Sequence, residues 1–178
     1  EDAGTTITSV SGDILITGNT MGSGADDRGI QMNDGSVVSS TGTAQVTLNG
    51  TSSNATGGDG VSIDAADTRV ASLNGTIMIA GSSTNLNGVS LTDTATINAT
   101  GTAVIDITGN GDNGDSEGVL INSAINSNTG TVTINTVDDD IQFGATGSLT
   151  STSGTVTVQA DTTTGNSGQI NMVDASQI

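Results

Sequence analysis

Residues 130–153, GTVTINTVDDDIQFGATGSLTSTS, hold three short apolar runs, and at Gly154 the pattern starts again as GTVTV. The unit is 24 residues long and reads as one turn of a three-sided solenoid. Its opening recurs at Gly12, Gly42, Gly75, Gly101, Gly130 and Gly154, with spacings of 30, 33, 26, 29 and 24 residues. The Gly42 and Gly101 copies carry two extra residues before the apolar pair. An even insertion keeps each side chain on its face, because the strand period is two.

A second run follows in every unit: Ile30-Gln-Met32, Val61-Ser-Ile63, Val89-Ser-Leu91, Val119-Leu-Ile121, Ile141-Gln-Phe143 and Ile170-Asn-Met172. The third run is weaker and is read at Val38, Val70 to Leu73, Ala95 to Ile97, Ala124-Ile125, Leu149 and Ile178, with Thr6 to Val10 as the third run of an earlier rung. Alternation over three to five residues rich in Val, Ile and Thr argues strand, and Gly- and Asn-rich junctions punctuate it. The fold expected is all-β, a right-handed parallel β-helix of about six rungs of 24–33 residues, with residues 1–178 as one solenoid segment. Inward ladders are expected at Ile16, Leu48, Ile79, Ile107, Ile134 and Val158, and at Met32, Ile63, Leu91, Ile121, Phe143 and Met172. The composition alone would fit a disordered chain. Disorder, however, would not keep three runs in order through six units, and an immunoglobulin-like sandwich needs hairpins and usually an aromatic core.

One rung cannot fold alone. Each inward apolar side chain contributes roughly 1.5–3 kcal/mol on burial, and each ordered residue costs about 1–2 kcal/mol of backbone entropy. Stability therefore rests on rung stacking. No amphipathic helix is legible to cap the stack, so the segment is expected to continue into a longer chain or a second copy. No basic segment followed by an apolar core is legible as a signal peptide, and no stretch is apolar enough over about 18 residues to span a bilayer. Two arginines stand against 19 acids, for a net charge of −17. That balance argues against nucleic acid and anionic membranes and in favour of polycations or divalent cations as counter-ions.

The recurring G-T-x-V/I-x-I/V openings, the Gly/Asn/Thr/Ser turns and the absence of cysteine resemble the β-helical repeats of filamentous-haemagglutinin-like exoproteins and autotransporter passengers. The resemblance covers nearly the whole chain and is periodic rather than a signature motif. It implies a bacterial, extracellular or surface-anchored rod or filament that adheres, spaces or coats. It carries over no catalytic residues.

The junction between the first and second runs varies most in length, and acids collect there. Asp112, Asp115 and Glu117 in one turn, with Asp138, Asp139 and Asp140 one rung on, are the candidate Ca2+ ligands, since Ca2+ takes six to eight hard oxygens in adaptable geometry. The spacing matches neither an EF-hand loop nor the calcium nonapeptide, and a solvated acidic edge is the plainer account. Just before the second run, Arg28, Asp59, Asn87, Glu117 and Asp139 align. Arg28 and Asp59 are expected to form an exposed structural pair. After that run Asn33, Asp64, Thr92 and Asn122 align as corner residues bonding turn backbone. The sequons at Asn49, Asn54, Asn74 and Asn98 read as turn chemistry.

Catalysis is not expected. Lysine and histidine are absent, Arg28 and Arg69 fall on different sides, and Phe143 is the one aromatic residue. Ice binding would need a regular threonine array. The outward row Leu15, Thr47, Met78, Asp106, Thr133 and Thr157 is mixed. The function expected is a non-enzymatic structural or adhesive solenoid extended by end-to-end strand continuation and modulated by Ca2+. The alternative is a carbohydrate-binding or carbohydrate-cleaving module of the tailspike kind.

Overall fold

The computed structural model describes residues 4–22, 24, 27–53, 57–111, 116–162, 168–173 and 178. In chain order its strands are β1 (Thr6–Ser9), β2 (Ile14–Thr20), β3 (Ile30–Met32), β4 (Val37–Ser40), β5 (Val46–Ser52), β6 (Val61–Ile63), β7 (Arg69–Ser72), β8 (Ile77–Ser83), β9 (Val89–Leu91), β10 (Thr96–Ala99), β11 (Ile105–Asn110), β12 (Val119–Ile121), β13 (Ala124–Ser127), β14 (Val132–Thr136), β15 (Ile141–Phe143), β16 (Ser148–Ser151), β17 (Val156–Gln159) and β18 (Ile170–Met172). Every third strand pairs in parallel. Sheet A runs β1-β4-β7-β10-β13-β16, sheet B runs β2-β5-β8-β11-β14-β17, and sheet C runs β3-β6-β9-β12-β15-β18. This is a three-sided β-helix, as the repeat predicts.

The ladders are in register. Ile16, Leu48, Ile79, Ile107, Ile134 and Val158 stack along sheet B. Met32, Ile63, Leu91, Ile121, Phe143 and Met172 stack along sheet C. Strand alternation sends one side chain of each pair inward, and neighbouring rungs close it from water. In the middle of the stack this is complete, and Phe143 is 0 % exposed. In the last rung it is not, and Met172 on the same ladder is 51 % exposed.

Sequence and structure differ in three places. Ile178 lies in no strand and is exposed, so the last rung has no third strand among the described residues. Leu73 is exposed because β7 turns Val70 and Ser72 inward and ends there. Gly42 and Gly101 are not the counterparts of Gly75 and Gly130. The residue two before each sheet B strand is Gly12, Ala44, Gly75, Ala103, Gly130 or Gly154, and Ala44 and Ala103 are buried in that row. A Cβ on Gly75 would strike the Ala44 carbonyl, and one on Gly130 that of Ala103. The row therefore needs glycine at Gly75, Gly130 and Gly154 and accepts alanine at Ala44 and Ala103.

The strands of sheet B also run further than the apolar pairs alone predict. They continue through Gly18, Gly50, Gly81 and Gly109, which stack in register. Each lies against the carbonyl of the glycine that leads the sheet C strand of its own rung, Gly29, Gly60, Gly88 and Gly118, so closely that a Cβ would clash. Two facing glycine rows therefore form the sharp B-to-C corner. In the fifth rung Thr136 replaces the first glycine. Its hydroxyl donates to the Asp139 carbonyl and accepts from Asp161 N–H at 3.0 Å.

Candidate functional site

The B-to-C edge follows from this corner. Connections there differ in length from rung to rung, and each returns to the same point just before the sheet C strand. Gly29 N–H donates to Asp59 O (3.1 Å), Gly60 N–H to Asn87 O (3.1 Å) and Gly88 N–H to Glu117 O (3.1 Å). Arg28, Asp59, Asn87 and Glu117 thus stack as the sequence alignment predicts. Arg28 Nε lies 3.8 Å from Asp59 Oδ2, an ion pair outside hydrogen-bond length. Asp59 Oδ1 accepts from both Asn87 N–H (3.2 Å) and Asn87 Nδ2 (3.0 Å). Asn87 Oδ1 then accepts from Glu117 N–H at 3.1 Å.

The pair is not the exposed one expected from sequence. Asp59 is only 6 % exposed. Burial pushes its carboxyl above the ordinary 3.8, against the opposing pull of the Asn87 side chain, the Arg28 charge, the Asn87 backbone and Ser62. Burial also raises Glu117 above its ordinary 4.5. Its own backbone N–H opposes the shift, while the charges of Asp139 and Asp140 add to it.

Of the six candidate calcium ligands, Asp112 and Asp115 lie outside the described residues. Glu117, Asp139 and Asp140 come close enough to repel one another electrostatically. Asp139 is buried, and its Oδ1 accepts from Asp140 N–H at 2.9 Å. Asp140 uses Oδ1 for Gln169 N–H (2.6 Å) and Oδ2 for Asn171 Nδ2 (3.2 Å). Asp138 sits half-buried beside them. Among the described residues no three acids are grouped to hold a metal ion.

The corner row after sheet C is partly as expected. Asn122 Oδ1 accepts from Thr146 N–H (3.3 Å) and Thr146 Oγ1 (2.9 Å). Backbone bonds close two other turns, Ser36 N–H to Asn33 O (3.0 Å) and Ala95 N–H to Thr92 O (3.1 Å), and in the first Gly35 N–H also donates to Thr68 Oγ1 (3.1 Å). Their central residues have positive φ, 52° and 76° at Asp34 and Gly35, 51° and 66° at Asp93 and Thr94. Arg28 leads into sheet C and Arg69 opens sheet A strand β7, so the two arginines do stand on different sides.

Sequence reasoning placed acids on the B-to-C edge but missed how the rest of the charge is distributed around the column. Asp27, Asp59, Glu117 and Asp138 to Asp140 line the B-to-C edge, while Asp34, Asp64, Asp67 and Asp93 line the C-to-A turns. Across sheet A, the A-to-B turns and sheet B, the described acids are Asp13 and Asp106. The signal was available as long acid-free stretches such as residues 36–58 and 68–92.

Comparison with known proteins finds no matching family model, no matching curated protein and no matching solved structure.

Proposed function

We propose that this chain is a non-enzymatic structural or adhesive segment of an extracellular surface rod, extended by end-to-end strand pairing and modulated by Ca2+ at its acidic edge. The observation that carries the reading is the open C-terminal rung. Ile170 and Met172 end ladders that are fully buried one rung earlier at Ile141 and Phe143, and among the described residues no strand pairs with the outer edge of β17 or β18. A parallel edge with its ladder side chains bare accepts another strand. The strand comes from a second copy or from flanking residues of a longer chain. A head-to-tail contact that does not close generates a filament.

Stacked acids along two edges repel sideways clumping, and Ca2+ reduces that repulsion. The extracellular setting rests on the resemblance to filamentous-haemagglutinin-like exoproteins. The non-enzymatic reading is supported by the arginines on separate sides and by carboxylates whose oxygens already accept bonds from the chain. The test compares the parent with Ile170→Asp/Met172→Asp by light scattering and melting, in Ca2+ and in a chelator. The reading expects concentration-dependent scattering that Ca2+ enhances and the end variant loses. Identical behaviour of both proteins in both solutions overturns it.

A further inference from the structure

We propose that Asn74 and Gly75 form a self-modifying site, at which the chain converts Asn74 to aspartate through a cyclic imide. The reaction consumes water alone and is independent of end-to-end extension and of Ca2+.

The pair lies at the A-to-B corner. Just before the corner position, successive rungs carry Ser11, Thr43, Asn74, Thr102, Thr129 and Ser153, so a hydroxyl is the rule and Asn74 the exception. The residue after Asn74 is fixed by packing, because a Cβ on Gly75 would lie 1.9 Å from the Ala44 carbonyl oxygen. The corner thus sets beside an asparagine the residue type that leaves its backbone nitrogen least crowded.

That nitrogen is also unengaged. In the first and last rungs the serine three places earlier accepts the corner N–H, Gly12 to Ser9 Oγ at 3.1 Å and Gly154 to Ser151 Oγ at 3.0 Å. In the Gly75 rung the matching Ser72 Oγ is buried, 2 % exposed, and has no hydrogen-bond partner. Gly75 N–H has no acceptor among the described residues.

The side chain it would attack is activated. Asn74 Oδ1 accepts from Thr102 N–H (3.3 Å) and from Thr102 Oγ1 (3.2 Å). Both donors polarise the amide carbonyl and face the oxygen on which attack places negative charge. Gly75 N loses its proton to hydroxide and bonds to Asn74 Cγ. The Cγ–Nδ2 bond then breaks, and Nδ2 takes a proton from water and leaves as ammonia. Asn74 is exposed, so water reaches the imide and opens it to aspartate or to its β-linked isomer. The new carboxylate keeps both Thr102 donors, now as charge-assisted bonds.

The other described Asn-Gly pairs lack this combination. Asn49 and Asn110 are held extended in β5 and β11 by ladder pairing. At Asn87 both reacting groups are engaged. Its Nδ2 donates to Asp59 Oδ1 at 3.0 Å, and Gly88 N–H donates to Glu117 O at 3.1 Å.

Incubation of the whole chain in heavy-oxygen water at mildly alkaline pH, followed by peptide mass mapping, tests the site. Label is expected at residue 74 about tenfold or more faster than at 49, 87 or 110. In urea this preference is expected to vanish, which assigns it to the fold rather than to the dipeptide. Thr102→Val is expected to slow labelling several-fold and Thr102→Ser to restore it. Asn74→Thr, which supplies the corner's usual hydroxyl, is expected to fold and to take up no label there. Three results overturn the proposal: no label at residue 74 in the folded chain, equal labelling of the four sites in the folded chain, or a preference for residue 74 that persists in urea. Labelling in Thr102→Val at the parent's rate overturns the part assigned to that hydroxyl.

Discussion

Asn87 gives both its backbone N–H and its side-chain Nδ2 to one oxygen of Asp59, at 3.2 and 3.0 Å, while its own Oδ1 takes the Glu117 N–H at 3.1 Å. A neutral amide thus separates two acids that consecutive rungs would otherwise stack directly. Replacing it with an isosteric carboxylate removes a donor and adds a like charge beside a buried one. Asn87→Asp is expected to destabilise by about 3 kcal/mol in urea unfolding, and Asn85→Asp, on the same edge, by much less. Equal effects would remove Asn87 from this role.

Burial raises Asp59 and Glu117 above their ordinary 3.8 and 4.5. Between those ordinary values and the raised ones, the folded chain holds protons that the unfolded chain has lost. Stability therefore falls as pH rises through that interval, and the gain on acidification is complete below the unfolded values. The melting temperature should rise as the pH falls from neutrality toward those ordinary values, and Asp59→Asn should flatten the rise. A melting temperature that falls on acidification contradicts this assignment.

Gly109 lies so close to the Gly118 carbonyl that any Cβ must displace backbone. Gly109→Ala is expected to cost about 3 kcal/mol or more, or to prevent folding. Thr108→Ala, whose side chain points outward, should cost under about 0.5 kcal/mol. Urea midpoints of the two variants check the difference.

Thr94 is an exposed β-branched residue at φ 66°. That conformation costs about 1–3 kcal/mol without a compensating contact, and glycine adopts it freely. Thr94→Gly should stabilise by about 1 kcal/mol, less the entropy glycine adds to the unfolded chain. A loss of stability would mean that the turn depends on the threonine side chain.

The strand sequence was legible because burial is periodic. Val-Thr-Ile at 132–134 and Ile-Gln-Phe at 141–143 can hide their outer members only as short strands, and both do. The third strands were harder, because Ser40 and Ser72 take inward places that an apolar reading leaves empty. The glycine corner was hidden for a related reason. Gly18 and Gly50 look like turn signals, yet they lie within strands, where backbone meets backbone. The candidate site was legible as a row but not as an environment. Spacing placed Arg28, Asp59, Asn87 and Glu117 in line, while the burial of Asp59 depends on how the B-to-C connections fold over the edge.

Cryo-electron microscopy of the native material at neutral pH, with and without Ca2+, tests the central claim most directly. Rods are expected whose long axis carries a repeat of about 4.8 Å, the spacing of stacked strands, longer or more bundled when Ca2+ is present. Discrete particles of a single chain, with Met172 and Ile170 covered and no axial growth at any concentration, would contradict it.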